Sequence, residues 1–188
     1  MADLITLDEY KSYESLVSTK EDFKLELLIA SVSKLVKTYC GNSIIDHYTI
    51  PKVEEFSVKW NTNFVQLTES PLINVSAVES RDNEASAYQT LTSSQYYIDY
   101  STDSVYSVDK AWPKGFGSVK VTYTAGYEDT PQDLKLAVID LIRYYAKNEY
   151  KERQTLAGAT IENPSAGANS SVAFPDHIKR VLDLYKNF

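Results

Sequence analysis

The side chains able to do chemistry are few and far apart. The only histidines are His47 and His177, and the only cysteine is Cys40. Neither histidine has a second His or Cys at ligand spacing, and the neighbouring Asp46 and Asp176 do not complete a metal set. His47 suits a strand edge and His177 the first turn of a helix. Cys40, just ahead of Gly41, reads as a small hydrophobe near a helix end, and a single cysteine excludes an intramolecular disulfide. Asp99, Asp103 and Asp109 bracket a short polar run. They lack the central Gly and closing Glu of a calcium loop, so they read as turn formers. Glu54 and Glu55 are adjacent in a strand-like stretch and point to opposite faces, so they do not pair as acid and base. Gly115-Phe-Gly117 has no Lys-Ser/Thr after it and reads as a turn, not a phosphate loop. No serine stands in a nucleophile elbow. An enzyme built from distant acids such as Asp46, Glu55 and Asp99 would require them to share a pocket and titrate abnormally.

The totals describe a globular chain. Its 188 residues suit one domain, or one domain with an insertion, at 43% hydrophobic and 24% charged. Net charge is -7, with most of the excess acid in residues 44–124, and no Lys/Arg cluster marks a nucleic-acid face. An acidic lining beside DNA is compatible with that charge, because repulsion lets a polyanion pass without sticking. Fifteen tyrosines are the unusual feature, and Tyr suits both strands and wet interfaces. No apolar run approaches a membrane span, and Met1-Ala-Asp-Leu-Ile lacks a basic segment before an apolar one. The expectation is a chain made in the cytosol.

Hydrophobic spacing sets out the elements that would position these residues. Thr6 to Glu9 has capping-box spacing and opens a short helix through about Tyr13. Ser18 or Thr19 caps a second helix whose apolar positions Phe23, Leu27, Leu28, Val32, Leu35, Val36 and Tyr39 are expected to pack the core, with Gly41 ending it. Short runs rich in Val, Ile, Thr and Tyr predict strands near 44–50, 53–59, 63–68, 72–79, 87–92, 95–99, 104–108 and 118–124. In the last of these Val119, Val121 and Tyr123 form an apolar face. Gly126 breaks the strand and Thr130 caps the next helix, with Pro131 at its first position. That helix runs to about Asn148 on Leu134, Val138, Leu141 and Tyr145, with Ala137 and Tyr144 beside them. Residues 155–171, rich in Ala, Gly, Ser and Asn, predict a flexible tether. The last helix carries Ile178, Val181, Leu182 and Tyr185 before Phe188.

The predicted class is therefore α+β. A helical domain from 1–43 and 126–188 carries an inserted antiparallel β meander or small barrel at 44–125, and residues 172–188 form the terminal helix. Trp60 and Trp112 lie at predicted strand ends. Each is a packing residue by default and a candidate interface anchor if exposed.

The order of parts is similar to a known family. The opening Leu4 to Lys11, the helix end Val36 to Gly41, the joint Val119 to Tyr127 and the helix opening Thr130 to Val138 resemble head–tail connector (adaptor, head completion) proteins of tailed bacteriophages. Tyr96 to Asp99 followed by Val105-Tyr106 resembles that family's strand pair, with Ser104 where relatives often have Gly. The resemblance implies a non-enzymatic structural protein of the virion, with no catalytic set, cofactor or metal. It implies a ring, typically of twelve copies, under the portal vertex, assembled in the host cytoplasm. Such a ring extends the DNA channel after packaging, without specific DNA binding, and offers a platform to the next neck or tail-completion protein. It also implies a portal-binding C-terminal segment, through Ile178, Val181, Leu182, Tyr185 and Phe188. The competing expectation from the residues is a monomeric β-rich module that binds protein or carbohydrate through an exposed aromatic groove.

Overall fold

The computed structural model of the chain describes residues 1–108, 110–147, 153–156, 159–162 and 174–186. They form two compact units. One takes residues 1–40 together with those from 130 onward, and the other is the continuous stretch 41–129. The architecture is α+β with antiparallel sheets. Among the described residues no helix is long and apolar enough to cross a membrane.

The first unit is helical, with α1 (Leu7–Glu14), α2 (Asp22–Cys40), α3 (Gln132–Ala146) and α4 (Asp176–Leu184). The capping box forms as spaced: Thr6 Oγ1 accepts from the Glu9 amide and Glu9 accepts from the Thr6 amide. Glu9 also takes an ion pair from Lys135 at 2.6 Å, so one carboxylate caps α1 and fixes it to α3. Burial opposes ionisation of Glu9 only weakly. The Lys135 bond, first among its causes, and the Thr6 amide hold its pKa below the usual value. The expected stripe of α3 is confirmed at Leu134, Val138 and Leu141, all fully buried. Pro131, not Thr130, occupies the cap position of α3, and it makes no side-chain cap bond.

Helix α2 departs from the expected phase. Its interior face is Leu25, Ile29, Val32, Val36 and Cys40, with Lys37 reaching the Ala2 carbonyl at 2.7 Å. Phe23 and Leu27 lie round the far side, 82% and 63% exposed, and Leu35 is also exposed. The helix carries more apolar residues than one stripe holds, so spacing alone admits two phases. The Leu4 amide bonded to Ser33 Oγ at 3.0 Å helps select the observed one.

In the second unit β7 (Gly115–Ala125) lies between β1 (Lys52–Val58) and β3 (Leu72–Ser80), with the short β4 (Gln89–Thr90) on the outer edge of β3. Val119, Val121 and Tyr123 are fully buried on the apolar face read from their alternation. A separate sheet has the order β2 (Phe64–Gln66), β6 (Ser104–Ser107) and β5 (Tyr96–Asp99). Two expectations are corrected. The pairing of β1 with β7 is not a meander, and the described strands form open sheets with no closed barrel. Residues 44–50 are turns, not a strand, since Ile44 adopts a left-handed φ of 69°. Of the expected tether 155–171, residues in strands β8 (Arg153–Leu156) and β9 (Ala159–Glu162) pair antiparallel, and its other positions lie outside the described residues.

Gly126 marks the end of β7 for a steric reason. Its φ is +98°, and a Cβ there would meet the Ile44 carbonyl oxygen at 2.3 Å. Gly126→Ala is expected to lower the unfolding free energy by more than about 1 kcal/mol, read as a drop in the urea midpoint. An unchanged midpoint would contradict this close approach.

Candidate interaction surfaces

Chemistry-bearing residues do not converge where the distant-acid reading needed them. Asp99 accepts from Ser101 Oγ at 2.6 Å, and Glu55 lies beside Gly117. His47 Nδ1 stands 3.1 Å from the Ile50 carbonyl, and His177 is exposed on the first turn of α4. Among the described residues no group of His, Cys, Asp and Glu could hold a metal ion. Burial pushes the Cys40 thiol up to about 11, so it is protonated near neutrality.

Titratable groups do converge in a bracing network of the second unit. Tyr123, near the end of β7, donates to Glu54 Oε2 at 2.8 Å and accepts from the Glu69 amide at 3.3 Å. Glu54 also accepts from Thr68 Oγ1 at 2.7 Å. Glu69 is buried. It receives Lys52 at 2.9 Å on one oxygen and the Ser43 amide and hydroxyl at 2.8 and 2.7 Å on the other. Burial raises the cost of its charge, yet the Lys52 and Ser43 bonds outweigh burial and hold its pKa below 4.5. Burial, then the Glu54 carboxylate, drive the Tyr123 hydroxyl upward. Each of these acceptors is engaged by a donor of the fold, which makes the cluster structural.

The surfaces are more informative. On the three-stranded sheet Phe64 pairs with Tyr106 and Tyr106 with Tyr97, so three rings line up across its outer face. Ring centroids are 5.7 Å apart for Phe64–Tyr106 and 6.5 Å for Tyr97–Tyr106. Behind them Val65, Val105 and Ile98 face inward. Trp60 is 80% exposed. Trp112 is buried, and its Nε1 has no hydrogen-bond partner among the described residues; it lines a polar cleft of about 180 Å³ with Gln89, Gln95 and Ser107. The two tryptophans expected to behave alike therefore do not.

The terminal helix packs inward. Phe174, Ile178 and Leu182 are buried in the helical unit, and Val181 is half-buried. Tyr39 donates to Asp183 at 2.6 Å and packs edge-on against Phe174 at 5.0 Å. The Asp183 bond, first among the causes, pushes the Tyr39 hydroxyl up to about 12. Tyr185 donates to Asp133 at 2.6 Å. Docking a partner groove through Ile178, Leu182 and Tyr185 would first require α4 to leave its own unit. Leu184, 77% exposed, is the large apolar residue this helix presents outward. Phe188 lies outside the described residues.

A family model described as head completion protein matches residues 3–188. The chain belongs to the head completion protein family. The head completion protein of Escherichia phage T5 is 24% identical over 184 residues, 97% of this chain and 98% of that protein. Among solved structures, a chain from the neck of an empty GTA particle computed with C6 symmetry has a TM-score of 0.63 at 14% identity, covering 98% of this chain and 90% of that one. A chain from the neck of a native GTA particle computed with C12 symmetry has a TM-score of 0.56 at 13% identity, covering 100% and 94%. A chain in the virion of the native gene transfer agent particle gives 0.62 at 14%, covering 98% and 90%. These likenesses are of fold.

For this head completion protein the sequence did not single out Glu69 or Ser43, because 26 residues separate partners that only the fold brings together. The aromatic row was visible only as strand tyrosines without register. The Glu69 arrangement predicts acid sensitivity. Its folded pKa lies below the unfolded one, so its stabilisation is complete above the unfolded value near 4.5 and is lost as pH falls through the folded value. Glu69→Gln is expected to lower stability at neutral pH by about 1–3 kcal/mol and to flatten the dependence below pH ~4.5, followed by chemical unfolding at several pH values. A variant with the wild-type acid slope would remove Glu69 as its source.

Proposed function

We propose that the chain is a structural component of the virion neck, forming an oligomeric adaptor ring between the portal and the following neck or tail-completion protein. The ring extends the DNA channel after packaging. The observation that carries this reading is the second apolar face of α2. Phe23 and Leu27 stand in solvent opposite a fully formed core, as expected of a helix that meets a neighbour on both sides. Membership of the head completion family, and the necks in which its structural neighbours occur, support the location. The acidic balance suits a channel that DNA traverses without specific contact. The portal is contacted by the terminal segment. With Ile178 and Leu182 used internally, the contact falls to the outward side of α4 at Leu184 and to the last residues of the chain. The aromatic row and Trp60 face the next neck protein. No catalytic step is assigned.

Purified particles from a phage complemented with this chain provide the test. The chain should be present in many copies, symmetrically arranged at the neck in averaged images. Its absence from the neck, or a single copy, would sink the reading. Leu184→Asp should leave the chain folded, because that side chain is exposed, while weakening binding to isolated portal rings in light scattering. Truncating the whole helix would instead remove core residues and confuse unfolding with lost docking.

One observation favours a second reading. Three rings in register, Phe64 and Tyr97 exposed and Tyr106 half-buried between them, are the kind of platform on which sugar faces stack, so a carbohydrate-binding role of the β unit is the alternative. Retention of the full chain on immobilised cell-wall polysaccharide, abolished by Tyr97→Ala, would move that reading to first place.

A further inference from the structure

A buried N–H without an acceptor costs free energy that a bound acceptor recovers. Trp112 is 3% exposed, and its backbone amide donates to the Thr62 carbonyl at 2.9 Å, which fixes the segment. Its indole Nε1 has no hydrogen-bond partner among the described residues, and the residue lines the polar cleft of about 180 Å³. Ser80 and Ser107 in the same lining are half-buried, while Gln89 and Gln95 are exposed. Gln95 is held in place: its Oε1 accepts from the Thr92 amide at 2.8 Å and from the Thr92 hydroxyl at 3.0 Å. What it has left to offer the cleft is its NH2 group. The ionised side chains of the lining are one of each sign, Asp82 and Lys110, both exposed.

We infer that this cleft binds one neutral sugar ring, with a hydroxyl or ring oxygen accepting from Trp112 Nε1. Three features select that class. First, the indole and the Gln95 amide group donate, Asp82 accepts, and the two serines and Gln89 do both. The ligand must therefore carry donors and acceptors close together, as neighbouring hydroxyls do. Second, one carboxylate and one ammonium in the lining give an anion and a cation each a repulsive neighbour, which favours an uncharged ligand. Third, the volume takes one pyranose ring, or about six waters at ~30 Å³ each, whereas an extended peptide needs a longer groove. Leu91 and Pro113 supply apolar wall for the C–H groups of the ring. The site is separate from the aromatic row, because Ser107 follows Tyr106 in β6 and projects to the other face of that sheet. It belongs wholly to the second unit and does not depend on the ring reading.

The experiment uses the full chain labelled with ¹⁵N-tryptophan. The chain has two tryptophans, so its spectrum holds two indole N–H signals, assigned with Trp60→Phe. The exposed Trp60 serves as the internal reference. The probes are glucose, galactose, mannose and N-acetylglucosamine, each titrated separately. At least one is expected to move the Trp112 signal saturably while the Trp60 signal stays still. Gln95→Glu keeps an oxygen for Thr92 but removes the NH2 group, and should weaken that binding about tenfold with circular dichroism unchanged. Tyr97→Ala should leave the binding intact. No saturable movement of the Trp112 signal with any of the four sugars would mean that the cleft holds solvent only, and would overturn the inference. Movement abolished by Tyr97→Ala would place the sugar on the aromatic row and overturn the cleft as its site. Movement by acetate at lower concentration than by any sugar would overturn the neutral class.

Discussion

The hydroxyl of Tyr123 is the point on which the β unit turns. Its ring fills the interior of a strand hydrogen-bonded on both sides, and its oxygen must be satisfied there or the burial becomes costly. Glu54 accepts its proton from the neighbouring strand, and the Glu69 amide donates to it from the loop before β3. Lys52 neutralises Glu69 and Ser43 closes the far side. One buried phenol thus fixes the register of β1 against β7 and holds the turn at 42–44 against the loop at 66–71. The neighbouring Asn42 amide, bonded to the Ser70 carbonyl at 2.6 Å, ties the same two segments.

How much of the fold was legible in the sequence depends on how local each cause is. The capping box, the α3 stripe and the alternation of Val119, Val121 and Tyr123 depend on neighbours within a few residues, and each appears as read. Seven strands lie where runs of β-branched and aromatic residues put them. The run at 44–50 has the right residue types but enters a turn, because the Gly126 approach and the Asn42 and Ser43 bonds hold Ile44 in a left-handed conformation. In α2 the apolar surplus at Phe23 and Leu27 concealed the true interior face. That surplus makes sense once the helix is allowed a neighbour outside its own chain. Candidate interface residues separated in the same way: Trp60 is exposed, Trp112 is packed, and nothing local to either tryptophan distinguishes them.

The terminal helix illustrates a tension between folding and docking. An amphipathic helix at the end of a chain offers one apolar face, and here Phe174, Ile178 and Leu182 place it inside the helical unit. Tyr39–Asp183 and Tyr185–Asp133 secure it from two directions. A partner at this end meets a surface already built, with Leu184 as its apolar feature, in place of a helix that must first be recruited.

The division of the chain into a continuous β unit and a split helical unit bears on the order of events at the ribosome. Residues 41–129 contain all the strands of their two sheets and can close once they emerge. Helix α2, made early, receives Leu4 and Ala2 from one end of the chain and Leu182 and Asp183 from the other. Its interior face therefore stays incomplete until α4 has been synthesised, long after the β unit between the two helices is whole.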